Sequence, residues 1–143
     1  MTAKLINPKQ KTQPCGQKKI LLVEDNEMNR MLLNDFLCYC SYDVKTLADG
    51  EKFLLEVESF QPQLILLDLK LPDVDGYSLL AELQKNRNFK DIPIIVVSAF
   101  AFKMEQEKAF SLGAHRYFVK PINLNHLIIA IEQELKNFNR IKT

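Results

Sequence analysis

Apolar positions along this chain follow two alternating rhythms. Short runs at residues 19–24, 42–46, 63–68, 93–98 and 115–119 have strand length and are rich in Ile, Leu, Val, Tyr and Phe. Between and after them, apolar residues recur at helical spacing: Met28, Met31, Leu32, Phe36 and Tyr39, then Phe53, Leu54, Val57 and Phe60, then Leu79, Leu80 and Leu83. A shorter helix is expected over residues 103–112, followed by Gly113, a residue suited to the position just past a helix end. The last stripe is continuous: Leu124, Leu127, Ile128, Ile131, Leu135 and Phe138, with Asn123 placed to cap it.

Strands that alternate with helices across short connections form a parallel sheet with helices on both faces, because parallel strands need right-handed crossovers. The runs at 20–23, 64–67 and 94–97 are apolar throughout and belong in the centre, whereas residues 42–46 alternate as an edge strand does. The expected fold is α/β, a flavodoxin-like (βα)5 doubly wound parallel sheet of strand order 2-1-3-4-5. Residues 1–17, with Asn7-Pro8, Pro14, Gly16 and no apolar period, are expected to be a tail; residues 18–138 form one domain and 139–143 a second short tail.

Composition narrows the function classes. The 143 residues carry a formal net charge of +1, which gives no electrostatic case for nucleic acid or an anionic membrane. No apolar stretch approaches the roughly 20 residues of a membrane span, and the N-terminus lacks the apolar core of a secretory signal, so a cytoplasmic location is expected. Cys15, Cys38 and Cys40 have no metal-ligand spacing and read as reduced thiols.

Chemistry enters at the strand ends. The first strand runs into Glu24-Asp25, the third into Asp68, the fourth into Ser98, and the fifth into Lys120-Pro121. In an open parallel sheet, ligands bind at the carboxyl ends of the strands. Each residue alone has a bland explanation: Asp25 or Asn26 as a helix cap, Asp68 as a turn former before Leu71-Pro72-Asp73, Ser98 as a strand-end hydroxyl, Lys120 as a solvated residue before proline. Packing does not explain their joint occurrence at four strand termini. Converging carboxylates repel, and a divalent cation relieves the repulsion; hard oxygen ligands without His or Cys favour Mg²⁺. A carboxylate nucleophile toward phosphorus yields an aspartyl phosphate, while an ammonium and a hydroxyl neutralise the phosphoryl oxygens. The residue before Pro121 is held extended, and a cis bond there would aim Lys120 inward.

From about residue 18 to 138 the chain resembles the receiver domain of two-component response regulators. The resemblance rests on Leu22-Val23-Glu24-Asp25-Asn26, on Leu66-Leu67-Asp68-Leu69-Lys70-Leu71-Pro72-Asp73-Val74-Asp75-Gly76, on Val97-Ser98-Ala99 and on Lys120-Pro121. It implies that Asp68 is the phosphoacceptor, Asp25 a direct Mg²⁺ ligand, Glu24 an acid acting largely through metal-bound water, and the Lys70 backbone carbonyl a further ligand. It also implies that Ser98 and Lys120 contact phosphoryl oxygens and that Tyr117 is an aromatic switch paired with Ser98; otherwise Tyr117 would be a half-buried strand aromatic. Glu24 stands where Asp is commoner in the family, Ser98 where Thr is also frequent, and Lys70 puts a cation beside the pocket.

The implied function is a receiver that takes a phosphoryl group from a histidine kinase or histidine phosphotransfer protein and catalyses only its own phosphorylation and dephosphorylation. With residues 139–143 alone beyond the domain, output is expected through a downstream protein partner or a phosphorylation-dependent dimer rather than DNA. Phe100, Phe102 and Phe110 are candidates for that face, Phe110 being the one most expected in the core. The segment Asn26-Glu27-Met28-Asn29-Arg30 resembles receivers of hybrid kinases and phosphorelays. A magnesium-dependent phosphohydrolase of the haloacid dehalogenase type would need a general-acid Asp where Lys70 stands. An interaction module that never takes phosphate would not need the intact acid set.

Overall fold

The structure, a computed structural model, describes residues 18–142, and the side-chain surroundings of residues 18–137. The tail expected over residues 1–17 and the side chain of Phe138 lie outside the described residues. Elements follow in strict alternation: β1 (Lys18–Val23), α1 (Glu27–Tyr39), β2 (Tyr42–Leu47), α2 (Phe53–Phe60), β3 (Leu64–Leu67), α3 (Gly76–Lys85), β4 (Ile94–Ser98), α4 (Lys103–Ser111), β5 (Arg116–Val119) and α5 (Leu124–Lys142). All neighbouring strands pair in parallel, in the order β2-β1-β3-β4-β5.

Side chains alternate between the two faces of a strand, and the central strands are apolar on both. On one face Leu21, Val23, Ile65, Leu67, Ile94 and Val96 pack with Phe53 and Val57 of α2, Leu79, Leu80 and Leu83 of α3, and Ala109 of α4. On the other, Ile20, Leu22, Leu64, Leu66, Ile95 and Val97 meet Leu33 and Leu37 of α1 and Leu127, Ile131 and Leu135 of α5. Asn123 Oδ1 accepts the His126 N–H at 3.0 Å and caps α5. Gly113 has φ +109° beyond α4, which suits glycine.

Three expectations are corrected. In α1 the predicted stripe is largely on the outside: Met28, Met31, Leu32 and Tyr39 are exposed, and Leu33 and Leu37 are the buried pair. Phe110 is 46% exposed rather than core, and Ala109 is the α4 residue that fills the interior. Finally, α5 runs to Lys142, through residues 139–142 expected as tail.

Candidate phosphoacceptor site

Lateral backbone bonds set the heights of the strand ends. The Asp68 N–H donates to Val23 O (3.0 Å), the Glu24 N–H to Leu47 O (3.0 Å) and the Lys120 N–H to Ser98 O (2.9 Å). Glu24, Asp68 and Lys120 therefore each leave their strand beside the end of a neighbouring strand. The acids converge: one carboxylate oxygen each from Glu24, Asp25 and Asp68 lie within 4.8 Å of one another. The peptide between Lys120 and Pro121 is cis, and the Lys120 Nζ sits 2.9 Å from Glu24 Oε1 and 2.9 Å from Asp68 Oδ2. Ser98 is fully buried at the end of β4. All the strand-end residues singled out in the sequence thus belong to this sheet edge.

The electrostatics are those of a crowded acid pocket. Glu24 and Asp68 are almost wholly buried, while Asp25 is exposed. Burial pushes the Glu24 carboxyl above its ordinary range, and the Asp68 charge adds to this, against hydrogen bonds from Lys120 and the Asn26 N–H. For Lys120, burial pulls downward, but the Glu24 and Asp68 carboxylates outweigh it and hold the ammonium above its usual pKa. Three carboxylates against one ammonium leave excess negative charge among hard oxygen donors, with neither His nor Cys in the cluster, and this set fits Mg²⁺.

The loop after Asp68 is built tightly. Asp68 Oδ1 accepts the Lys70 N–H at 3.1 Å, Lys70 bridges to Asp75, and the Lys70 side chain is exposed. Asp75 Oδ1 caps α3 by accepting the Tyr77 N–H at 3.0 Å. A Cβ on Gly76 would lie 2.5 Å from Leu69 Cα and 2.7 Å from Leu69 O, so only glycine lets α3 start against this backbone. Beside the acids runs a groove of about 420 Å³, lined by Leu32, Leu33, Pro121, Ile122 and Leu124 as well as Glu24, Asn29 and Lys120.

The response regulator receiver domain pattern matches residues 20–132. The chain belongs to this family. DivK of Brucella ovis, a polar-differentiation response regulator, is 33% identical over 118 residues, 82% of this chain and 96% of its own. A CheY-like receiver domain protein from Methanospirillum hungatei superposes with a TM-score of 0.80 at 28% identity, covering 87% of this chain and 98% of that one. The receiver domain of the sensor histidine kinase PA1611 from Pseudomonas aeruginosa, solved with a magnesium ion coordinated in its active site cleft, gives a TM-score of 0.78 at 30% identity, with coverage of 85% and 99%. As a receiver domain of two-component signalling, the chain has a signalling role rather than that of a conventional enzyme.

Of the two cap candidates, Asn26 is the N-cap of α1, its Oδ1 accepting the Asn29 N–H at 2.9 Å. Arg30 and Tyr77 were not foreseen. Arg30 Nη1 donates to Glu24 O at 2.9 Å and to Asp25 O at 3.2 Å. A long cation one turn into the helix after an acidic strand end was the available signal. Tyr77 donates its hydroxyl to Glu105 O at 3.2 Å and ties α3 to α4, with the Lys108 ammonium 4.2 Å from its ring centroid. Tyr117 is half-buried, its hydroxyl donating to Phe100 O at 2.8 Å; burial raises its phenol pKa, opposed by a hydrogen bond with Ser98. Among the described residues, no helix is long and apolar enough to cross a membrane.

Proposed function

We propose that this receiver accepts a phosphoryl group on Asp68 from the phosphohistidine of a histidine kinase or histidine phosphotransfer protein, in the cytoplasm, and signals through protein contacts. The observation that carries the proposal is the Lys120 ammonium held 2.9 Å from Asp68 Oδ2 beside two further acids. An Asp68 oxygen attacks phosphorus, an O–P bond forms, and the N–P bond breaks with its electron pair returning to the imidazole. Asp25 and Asp68, the Lys70 carbonyl, and Glu24 through water would hold Mg²⁺, which supplies charge neutralisation for the phosphoryl oxygens. Lys120 meets a second oxygen as its ion pair with Asp68 is exchanged, and the Ser98 hydroxyl donates to a third. The same residues serve hydrolysis of the aspartyl phosphate.

A protein donor is supported by the apolar groove next to Glu24 and Lys120, whose lining residue Leu32 is exposed on α1, as are Met28 and Met31 of the same helix. Incubation with a small phosphodonor should give Mg²⁺-dependent, alkali-labile labelling of the parent and none of Asp68→Asn. Equal labelling of both would overturn the assignment.

A further inference from the structure

Asp25 differs from its two partners in how it is held. Glu24 is anchored by Lys120 at 2.9 Å and by the Asn26 N–H at 3.1 Å, and Asp68 by Lys120 and the Lys70 N–H. No donor among the described residues reaches the Asp25 carboxylate, which is exposed, yet one of its oxygens lies within 4.8 Å of those of Glu24 and Asp68. Its aim is therefore set by the backbone of the Glu24-Asp25-Asn26 turn. Besides the Glu24 carboxylate on the Asn26 N–H, a side chain from α1 clamps that backbone: the half-buried Arg30 guanidinium donates from Nη1 to both consecutive carbonyls, Glu24 O at 2.9 Å and Asp25 O at 3.2 Å. The Arg30 N–H is itself fixed on Asn26 O at 2.9 Å, so the clamp is braced by the helix that Asn26 begins.

We propose that Arg30 is a positioning residue for the metal site: it fixes the acidic turn and so presents the Asp25 carboxylate to Mg²⁺, without touching the ion itself. The inference rests on the metal-site reading above. Its consequence runs against simple electrostatics. A cation beside a cation site disfavours the ion, so deleting Arg30 would tighten Mg²⁺ binding if charge were its whole effect. If it positions Asp25, deletion weakens binding, and an ammonium does not replace it, because the Lys Nζ ends a stem one atom shorter than the one that carries Nη1 and falls short of the two carbonyls.

The test is titration of the full chain with Mg²⁺ alone, by calorimetry, for the parent, Arg30→Gln and Arg30→Lys, well below each protein's melting temperature. Both variants are expected to bind Mg²⁺ about 10-fold more weakly, a loss in the range seen when groups that orient metal ligands are removed. Asp25→Asn combined with Arg30→Gln should be no weaker than Asp25→Asn alone, since the clamp acts through Asp25. Tighter binding by Arg30→Gln with parent-like binding by Arg30→Lys, or parent-like binding by both, would overturn the proposal. A fold defect without this role would lower the melting temperature and leave the Mg²⁺ affinity unchanged, which also overturns it. A parent that takes up no Mg²⁺ would instead bring down the metal-site reading, and this inference with it.

Discussion

Ser98 and Tyr117 hold the same residue from its two ends. The Phe100 N–H donates to Ser98 Oγ at 3.1 Å, and the Tyr117 hydroxyl donates to Phe100 O at 2.8 Å. The loop between β4 and α4 is thus pinned by the hydroxyl proposed to meet phosphate and by the aromatic proposed to respond. The Tyr117 ring also leans on Phe110 of α4, with centroids 6.4 Å apart. In the proposed switch, drawing the Ser98 hydroxyl toward a phosphoryl oxygen would change what holds Phe100 and offer α4 a second arrangement.

Ser98→Ala should therefore keep Asp68 labelling while shrinking, severalfold, the amide shift changes that a beryllofluoride phosphate mimic causes in residues 103–111. Tyr117→Phe should lose about 1 kcal/mol for the missing hydrogen bond and show the same uncoupling. Parent-like shift changes in Ser98→Ala would reject the link between phosphate and α4.

Removing Lys120 leaves two buried carboxylates without their ammonium. Breaking a buried pair from one side costs up to about 3 kcal/mol, and Lys120→Met should lose stability on that scale in Mg²⁺-free buffer, measured by urea unfolding. Glu24 already holds its proton more tightly than an ordinary carboxyl. In the variant that tendency grows, so the folded state binds more protons than the unfolded one and the deficit shrinks as pH falls toward the ordinary carboxylate range. The parent's Lys120, with its pKa raised above 10.5, contributes throughout neutral pH and loses its contribution only as pH climbs past that value. A deficit that does not change with pH would contradict the coupling of Glu24 to Lys120.

The strand ends were legible because a central parallel strand is apolar on both faces, so Glu24, Asp68 and Ser98 interrupt an otherwise uniform pattern, while Lys120 closes the short apolar run of the edge strand β5. Strand order followed from the same contrast with the polar alternation of β2. The inward face of α1 was not legible: its sequence EMNRMLLNDFLCY is apolar on more than one side, and periodicity cannot choose between the stripe through Met28, Met31 and Leu32 and the one through Leu33 and Leu37. Contact with the sheet chooses. The short α4, where Met104, Ala109 and Phe110 do not share one face, hid its inward side in the same way. The Arg30 clamp was hidden because its partners are backbone carbonyls, which every residue has.

That choice of face is testable by stability alone. Leu37 is fully buried and Met31 is 57% exposed. Leu37→Ala should cost about 2–5 kcal/mol, the range for emptying a core leucine site, whereas Met31→Ala should stay within about 0.5 kcal/mol. Comparable losses in the two variants would mean that the stripe expected from spacing is the packed one after all.

Mg²⁺ should also stabilise the fold in proportion to its occupancy, because it binds where Glu24, Asp25 and Asp68 repel one another in the native state and finds no such cluster in the unfolded chain. At a hundredfold excess over its dissociation constant, one site contributes about 2.7 kcal/mol, a rise of roughly 10 °C in melting temperature for a domain of this size. Asp25→Asn relieves part of the repulsion, so in Mg²⁺-free buffer it should melt at or above the parent temperature and then gain little from added Mg²⁺. Phosphoryl uptake from a small donor should fall with the lost metal response. A variant that melts lower than the parent without Mg²⁺, yet gains as much from the ion, would show that Asp25 neither repels its neighbours nor holds the cation.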